Sequence, residues 1–116
     1  FIKRAETEKS AFMAVVGKDA NGLKGDIIVD PSVSHPTQPE LEGIFLAESE
    51  FKSGASSNPL LVRGSVAAYD GVVLQRDLGA GNADTPAEVF EYAPDIIATF
   101  PQVFTQRRLR WKEVAP

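Results

Sequence analysis

The chain has 116 residues, 43% of them hydrophobic, and a formal net charge of −4. This length suffices for one domain with a real core, and this apolar fraction excludes a disordered tail. The negative charge disfavours direct binding to a nucleic-acid backbone. The lack of cysteine excludes disulfides, thiolate zinc sites and cysteine nucleophiles, and it fits a reducing compartment. No apolar run approaches the roughly 20 residues of a membrane span, so no membrane contact is expected.

The N-terminal stretch has a helical composition. The chain opens on Phe1 rather than Met, from which we expect a segment to precede it. Residues 1–16, FIKRAETEKSAFMAVV, contain good helix formers and no Gly or Pro, and they predict a helix that ends at Gly17. Asn21-Gly22 then predicts a tight turn.

Beyond residue 26 the periodicity becomes that of strands. DIIVD (26–30) is a short apolar strand that ends before Pro31. LEGIFLAE (41–48) carries apolar residues on both faces, which predicts a central strand of a sheet. A proline-rich loop separates these two segments.

The second half of the chain predicts further short strands. Residues 60–70 and 72–78 look like two strands about a tight turn at Asp70-Gly71. Two more stretches also have strand character, AEVFEYA (87–93) and DIIATF (95–100).

The predicted fold is therefore mainly β. We expect a single domain over residues 1–116, with one N-terminal helix (1–16) and a β domain (26–116) that forms a small antiparallel barrel or sandwich. The Gly- and Ser-rich loops 51–58 and 79–86 are long, which is compatible with a functional role or with disorder. No repeat of fixed period is visible.

No catalytic or metal-binding motif is convincing. His35 is the single histidine and has no companion ligands at metal-site spacing. Ser49 and Lys52 match S-x-x-K, but the pattern runs from a strand into a loop rather than along a helix. The GAGN stretch (79–82) lacks the third glycine of a phosphate loop and has Asp84 in its place. We expect no catalytic residue, no metal and no cofactor.

The C-terminal stretch QVFTQRRLRW (102–111) is basic and aromatic. Alternation places Val103, Leu109 and Trp111 on one face, with Arg107 as a misfit among them. Three interpretations fit: a solvated face paired with an acidic strand, a nucleic-acid surface, or a protein interface. We favour an interface between copies, whose residues would be Arg107, Arg108, Arg110, Trp111 and Lys112 on the basic side and Glu88, Glu91 and Asp95 on the acidic side.

Two short strands carry a family resemblance. Gly43-Ile44-Phe45 and, after a loop, Pro59-Leu60-Leu61-Val62 resemble the G-[IV]-F-D and P-x-L-x-V strands of the small head–tail joining proteins of tailed bacteriophages. Leu46 stands where that family usually has Asp. The resemblance implies a non-enzymatic virion protein that forms rings between portal and tail, with other copies and other structural proteins as partners.

Three functional classes follow from these observations. The leading hypothesis is a structural protein that acts by oligomerisation at a phage head–tail connector. The alternative is a β-barrel binding module for a small ligand or nucleic acid, which would use loops 51–58 and 79–86 and the arginine strand. An enzyme is the third class, for which no nucleophile and base can be named together.

Overall fold

The computed structural model describes residues 12–34 and 39–98. These residues form seven strands, one 3₁₀ helix (η1) and one α-helix (α1). In chain order the elements are β1 (Met13–Val16), β2 (Ile27–Ile28), β3 (Leu41–Ala47), β4 (Glu50–Lys52), β5 (Leu60–Ala68), β6 (Gly71–Val73), η1 (Gly79–Ala83), β7 (Glu88–Glu91) and α1 (Pro94–Ala98).

The strands form two parallel sheets. One sheet has the order β1-β3-β5-β7 and the other the order β2-β4-β6, and every pairing within them is parallel. The chain alternates between the two sheets as it advances, which is the winding of a parallel β-solenoid. The expected antiparallel barrel or sandwich is therefore wrong. We number the solenoid layers in chain order: β1 with β2, β3 with β4, β5 with β6, and β7 alone in the fourth.

Inward-facing side chains of successive layers stack directly on one another. In the first sheet Ala14 lies in register with Phe45, which lies in register with Val66. The second layer is the best covered, because Phe45 and Phe51 are 3% and 0% exposed. The buried core comprises Val29, Leu41, Phe45, Phe51, Leu60 and Val62. β3 is an inner strand of its sheet, as its two apolar faces predicted.

The turn at Asp70-Gly71 is a corner, not a hairpin. It leads from β5 in one sheet to β6 in the other, so the two strands do not pair with each other. The corner stacks on the one below it, where the Tyr69 amide donates to the Ala47 carbonyl at 3.1 Å and the Asp70 amide to the Ser49 carbonyl at 2.9 Å. An Asp-Gly pair marks a change of direction, and it does not specify whether the chain reverses or turns a corner.

Two predicted elements differ from the structure, one expected helix being a strand and one expected strand being a helix where they are described. Most of the expected helix over 1–16 lies outside the described residues, but Met13–Val16 form a strand because pairing with β3 outweighs local helix propensity. The expected strand at 95–100 is replaced by α1, which begins at Pro94 and contains the fully buried Ile96. Ile96 packs with Ile44 on the outer face of the first sheet.

The two predicted loops differ from each other. Residues 51–58 begin inside β4, and Phe51 and Ser53 are both 0% exposed, so the start of this segment is part of the core, whereas Ala55, Ser57 and Asn58 are exposed. Residues 79–86 lie at the surface and include η1. Asp77 holds the start of η1, because its carboxylate accepts hydrogen bonds from the Gly79 amide at 2.8 Å and from the Asn82 side chain at 2.6 Å.

The turn predicted at Asn21-Gly22 is confirmed. Gly22 has φ +80°, a conformation that favours glycine. The Asp19 carboxylate accepts hydrogen bonds from the backbone amides of Asn21 at 2.9 Å and Leu23 at 2.8 Å. The resulting small hairpin projects between β1 and β2. Within residues 12–34 and 39–98, no helix has the length and apolar character needed to cross a bilayer.

An ion pair ties the first layer to the second. The Asp26 carboxylate accepts a hydrogen bond from the Lys52 ammonium at 2.6 Å and another from the Glu50 amide at 3.1 Å. These bonds, with one from Ser49, lower the pKa of Asp26 from 3.8 to about 2, and Lys52 makes the largest contribution.

This pKa shift predicts a loss of stability in acid. A carboxyl whose folded pKa is depressed stabilises the fold above its unfolded pKa of 3.8, and that contribution disappears as pH falls towards 2. We expect the free energy of unfolding to fall between pH 4 and 2, measured by urea denaturation at each pH. Asp26→Asn and Lys52→Met should each flatten this dependence. Wild-type slopes in both variants would contradict the assignment.

Candidate interaction site

Within residues 12–34 and 39–98, the fourth layer of the solenoid is begun but not completed. β7 pairs with residues 60–63 of β5 only, so within the described part of the chain residues 64–68 have no strand on their outer edge. β6 is likewise the last strand of its sheet there. The chain leaves the solenoid after Glu91, because Pro94 starts α1 on the outer face of the first sheet. An exposed strand edge of this kind is a template for a further strand.

An apolar groove lies at this unfinished end. It has a volume of about 280 Å³ and is lined by Gly64, Val66, Val72, Leu74 and Phe90. Val72, Leu74 and Phe90 are 46%, 57% and 41% exposed. Val72 lies in register with Phe51, which is 0% exposed one layer below. The same inward row is thus buried where a layer covers it and exposed where the described residues supply no further layer. We call this surface the end groove.

A line of aromatic rings leads to the end groove. The ring centroids of Phe12 and Phe45 are 6.0 Å apart, those of Phe45 and Phe51 6.2 Å, and those of Phe51 and Phe90 6.3 Å. The last two pairs meet edge to face, an arrangement that stabilises aromatic contacts. Phe90, the last ring in this series, therefore packs against Phe51 at the end groove.

A charged cluster lies on the outer face beside β7. The Arg63 guanidinium bonds to Glu42 at 2.7 Å, to Asp95 at 2.7 Å and to Glu91 at 3.3 Å. Glu42, Arg63 and Glu91 are consecutive partners across β3, β5 and β7. Hydrogen bonding to Asp95, followed by that to Glu42, raises the pKa of Arg63 against the opposing effect of burial. Of the predicted acidic interface residues, Glu91 and Asp95 thus share an internal cation.

The third acidic residue, Glu88, takes part in a buried network. Its carboxylate accepts hydrogen bonds from the Ser53 hydroxyl at 2.8 Å and from the Arg76 amide at 2.7 Å. The Ser53 oxygen in turn accepts a hydrogen bond from the Gln75 amide at 2.7 Å. Glu88 therefore faces the inside of the protein and joins the fourth layer to the layers below it.

The Arg76 side chain is buried among backbone carbonyls. It is 6% exposed, and its guanidinium donates to the carbonyls of Ser53 and Val33, each at 2.9 Å. Longer bonds reach three more carbonyls, those of Pro31, Asn58 and Asp30. Burial lowers the pKa of Arg76, with nearby carboxylates, Glu88 first, acting in the opposite direction. Arg76 thus connects its own loop in the third layer to the loops that follow β2 in the first layer and β4 in the second.

The predicted basic side of the interface lies outside the described residues. This holds for Arg107, Arg108, Arg110, Trp111 and Lys112, and also for His35. The sequence reasoning did not single out the end groove or Arg76. The alternation of VVLQRDL (72–78) assigned Val72 and Leu74 to a strand, but only the parallel topology shows that the layer above them is missing.

No group of three or more potential metal ligands lies together in the described segments 12–34 and 39–98. No protein family, curated protein or solved structure matches the chain.

Proposed function

We propose that the protein is a non-enzymatic structural protein that works by assembling with further copies of itself. The observation that carries this proposal is the unfinished fourth layer, which exposes an apolar groove and two strand edges together. Exposed edges and contiguous apolar surface are costly in a monomer and mark sites of association.

The geometry favours a protein partner over a small molecule or nucleic acid. The end groove is close to the lower limit of ligand pockets, which enclose roughly 300–1,000 Å³. It is lined by aliphatic and aromatic side chains and no charged group, whereas a nucleic-acid site requires cations along a backbone path. A partner that adds a strand would satisfy the edge amides and cover the groove in one step.

The biological location of this assembly rests on a different observation, the family resemblance of two strands. A place at the head–tail connector of a tailed phage, and hence in a virion, is what the resemblance of Gly43-Ile44-Phe45 and Pro59–Val62 implies, and it stays a prediction. The surface proposed here is the same whether the copies close into a ring or form a chain, since both use two different faces of each copy.

The proposal predicts that Val72→Asp prevents assembly. A carboxylate in the end groove would lose its hydration on association, so we expect the dissociation constant to rise at least about tenfold. Mass photometry over a concentration series measures this change. Leu23→Asp is the matched control, because Leu23 is 74% exposed and does not line the end groove. A wild-type protein that is monomeric at all concentrations, or a Val72→Asp variant that assembles normally, would overturn the proposal.

A further inference from the structure

We propose that Asn21 is a modification site, at which the side-chain amide is converted into a carboxylate by spontaneous deamidation. The reaction is intramolecular, because the backbone nitrogen of the next residue attacks the asparagine side chain. The chain has three asparagines, Asn21, Asn58 and Asn82, and their surroundings leave only the first of them open to this attack.

The chemical step at Asn21 needs water and no other reactant. The Gly22 nitrogen loses its proton and bonds to the side-chain carbonyl carbon of Asn21. The bond from that carbon to Nδ2 breaks, and the amide leaves as ammonia after it takes up a proton from water. Water then opens either carbonyl of the cyclic imide, which gives an ordinary aspartate or a β-linked one, whose backbone runs through the side-chain carbon.

The turn leaves the reacting atoms of Asn21 and Gly22 accessible. Both residues are exposed, and the Gly22 nitrogen has no Cβ beside it to shield it. The bond from the Asn21 Nδ2 to the Asp19 carboxylate is 3.4 Å long, so the departing amide is weakly held. The Gly22 amide donates to the Asp19 carbonyl at 3.0 Å, but at the surface water can replace this bond at little cost.

The other two asparagines are protected in different ways. Asn58 precedes Pro59, whose nitrogen carries no hydrogen to lose. Asn82 lies inside η1, where its Nδ2 donates to the Asp77 carboxylate at 2.6 Å and its Oδ1 accepts from the Leu78 amide at 3.0 Å. The Asn82 side chain must break both bonds before it can react.

The two products affect the hairpin differently. The ordinary aspartate keeps the length of the backbone and places a second carboxylate beside Asp19. The β-linked product adds a methylene group to the backbone between Asp19 and Leu23, whose amide and carbonyl are joined at 2.9 Å. The lengthened turn no longer fits this bond, so we expect the β-linked form to open the hairpin.

Opening of the hairpin would reach the third layer through Lys24. The Lys24 ammonium binds the Asp70 carboxylate at 2.7 and 2.9 Å and lies 4.7 Å from the centre of the Tyr69 ring. Lys24 also pairs with Lys18 across the hairpin. The contact with Asp70 and Tyr69 therefore depends on the shape of the turn that the β-linked product changes.

Peptide mass spectrometry of the full-length folded protein during incubation tests the site. We expect the peptide that contains Asn21 to gain the mass difference between an amide and a carboxyl group, at a rate that rises with pH. Asn82 should convert at least about tenfold more slowly, because two side-chain hydrogen bonds hold it. Equal rates at Asn21 and Asn82, or a folded rate at Asn21 more than about tenfold below that of the same chain unfolded in urea, would overturn the proposal.

Two variants separate the nucleophile from the protecting contacts. Gly22→Ala should slow the reaction at Asn21, although alanine also strains the turn at φ +80°. Asp77→Ala leaves that turn intact and releases Asn82, so we expect the rate at Asn82 to rise severalfold and the rate at Asn21 to stay the same. An unchanged rate at Asn82 in this variant would contradict the protection by contacts on which the choice of Asn21 rests.

Brief trypsin digestion of the incubated protein tests the effect on the hairpin. The fraction that is cut first after Lys24 should be enriched in the β-linked product, and Asn21→Asp, which has the ordinary linkage, should be cut as slowly as the wild type. The same proportion of β-linked product in cut and uncut fractions would overturn the opening of the hairpin.

Discussion

Replacing Arg76 by methionine should destabilise the protein by about 3–5 kcal/mol, the cost of breaking a buried charged network from one side. Arg76 is 6% exposed, and its guanidinium donates to five backbone carbonyls in the two loops that follow β2 and β4. Methionine fills much of the volume of the side chain but removes the donor that these carbonyls share, and among the described residues only the Asp30 carbonyl is seen to keep another, the Val33 amide at 3.0 Å. Thermal or urea unfolding followed by circular dichroism measures the loss.

Arg63→Met is the matched control for Arg76→Met. Arg63 also holds several oxygens, but its side chain is 24% exposed, and of its partners Asp95 and Glu91 are 40% and 53% exposed and only Glu42, at 14%, is largely covered. Water screens such pairs, so we expect a loss of about 1 kcal/mol. Equal losses in the two variants would contradict the structural role assigned to Arg76.

Gly64→Ala should also destabilise the fold severely, by about 4 kcal/mol. Gly64 has φ +136°, and a Cβ at this position would overlap the carbonyl oxygen of Gly43, its direct partner in the neighbouring strand. Backbone strain contributes about 1–3 kcal/mol and overpacking a similar amount. The two effects share one cause, the close approach of the second and third layers at this pair.

Gly17→Ala gives the comparison for Gly64→Ala. A Cβ on Gly17 would meet no atom within 4 Å, so the change should alter the free energy of unfolding by less than about 0.5 kcal/mol. The same denaturation experiment serves both variants. A Gly64→Ala protein as stable as Gly17→Ala would show that the two layers can separate without cost.

Local features of the fold could be predicted from the sequence. The apolar faces of LEGIFLAE gave both the strand and its central place in a sheet. Asn21-Gly22 gave the turn, since a positive φ is a local demand that glycine meets.

The direction of pairing could not be predicted, because it is not a local property. Parallel and antiparallel strands have the same period of two, and Asp70-Gly71 suits a corner as well as a hairpin. The structural repeat of the solenoid layers could not be recognised in the sequence either. Met13 pairs with Ile44, but Leu41 pairs with Val62, so the spacing changes from layer to layer as surface insertions vary.

The sequence did not predict the end groove, and of the expected interface the structure describes only the acidic side. Glu88, Glu91 and Asp95 were expected on an acidic interface, whereas the structure uses Glu88 in a buried network and places Glu91 and Asp95 around Arg63. A sequence shows which side chains are charged, but it does not show which cation of the same chain each carboxylate binds in the fold. The end groove exists because the described fold has no complete layer beyond β5 and β6, and no residue pattern in the sequence indicates that such a layer is lacking.

The parallel winding also sets the order in which the protein can fold. Among the seven strands of the described segments, no two that pair are joined by a short turn, since even Phe51 and Val72 are separated by the whole of β5. Every pairing must therefore close a long loop before any contact compensates its entropy, which makes folding slow for a chain of this length. The second layer, covered on both sides, is the natural nucleus. The outer layers should then add in sequence, and their amide hydrogens should exchange with solvent first.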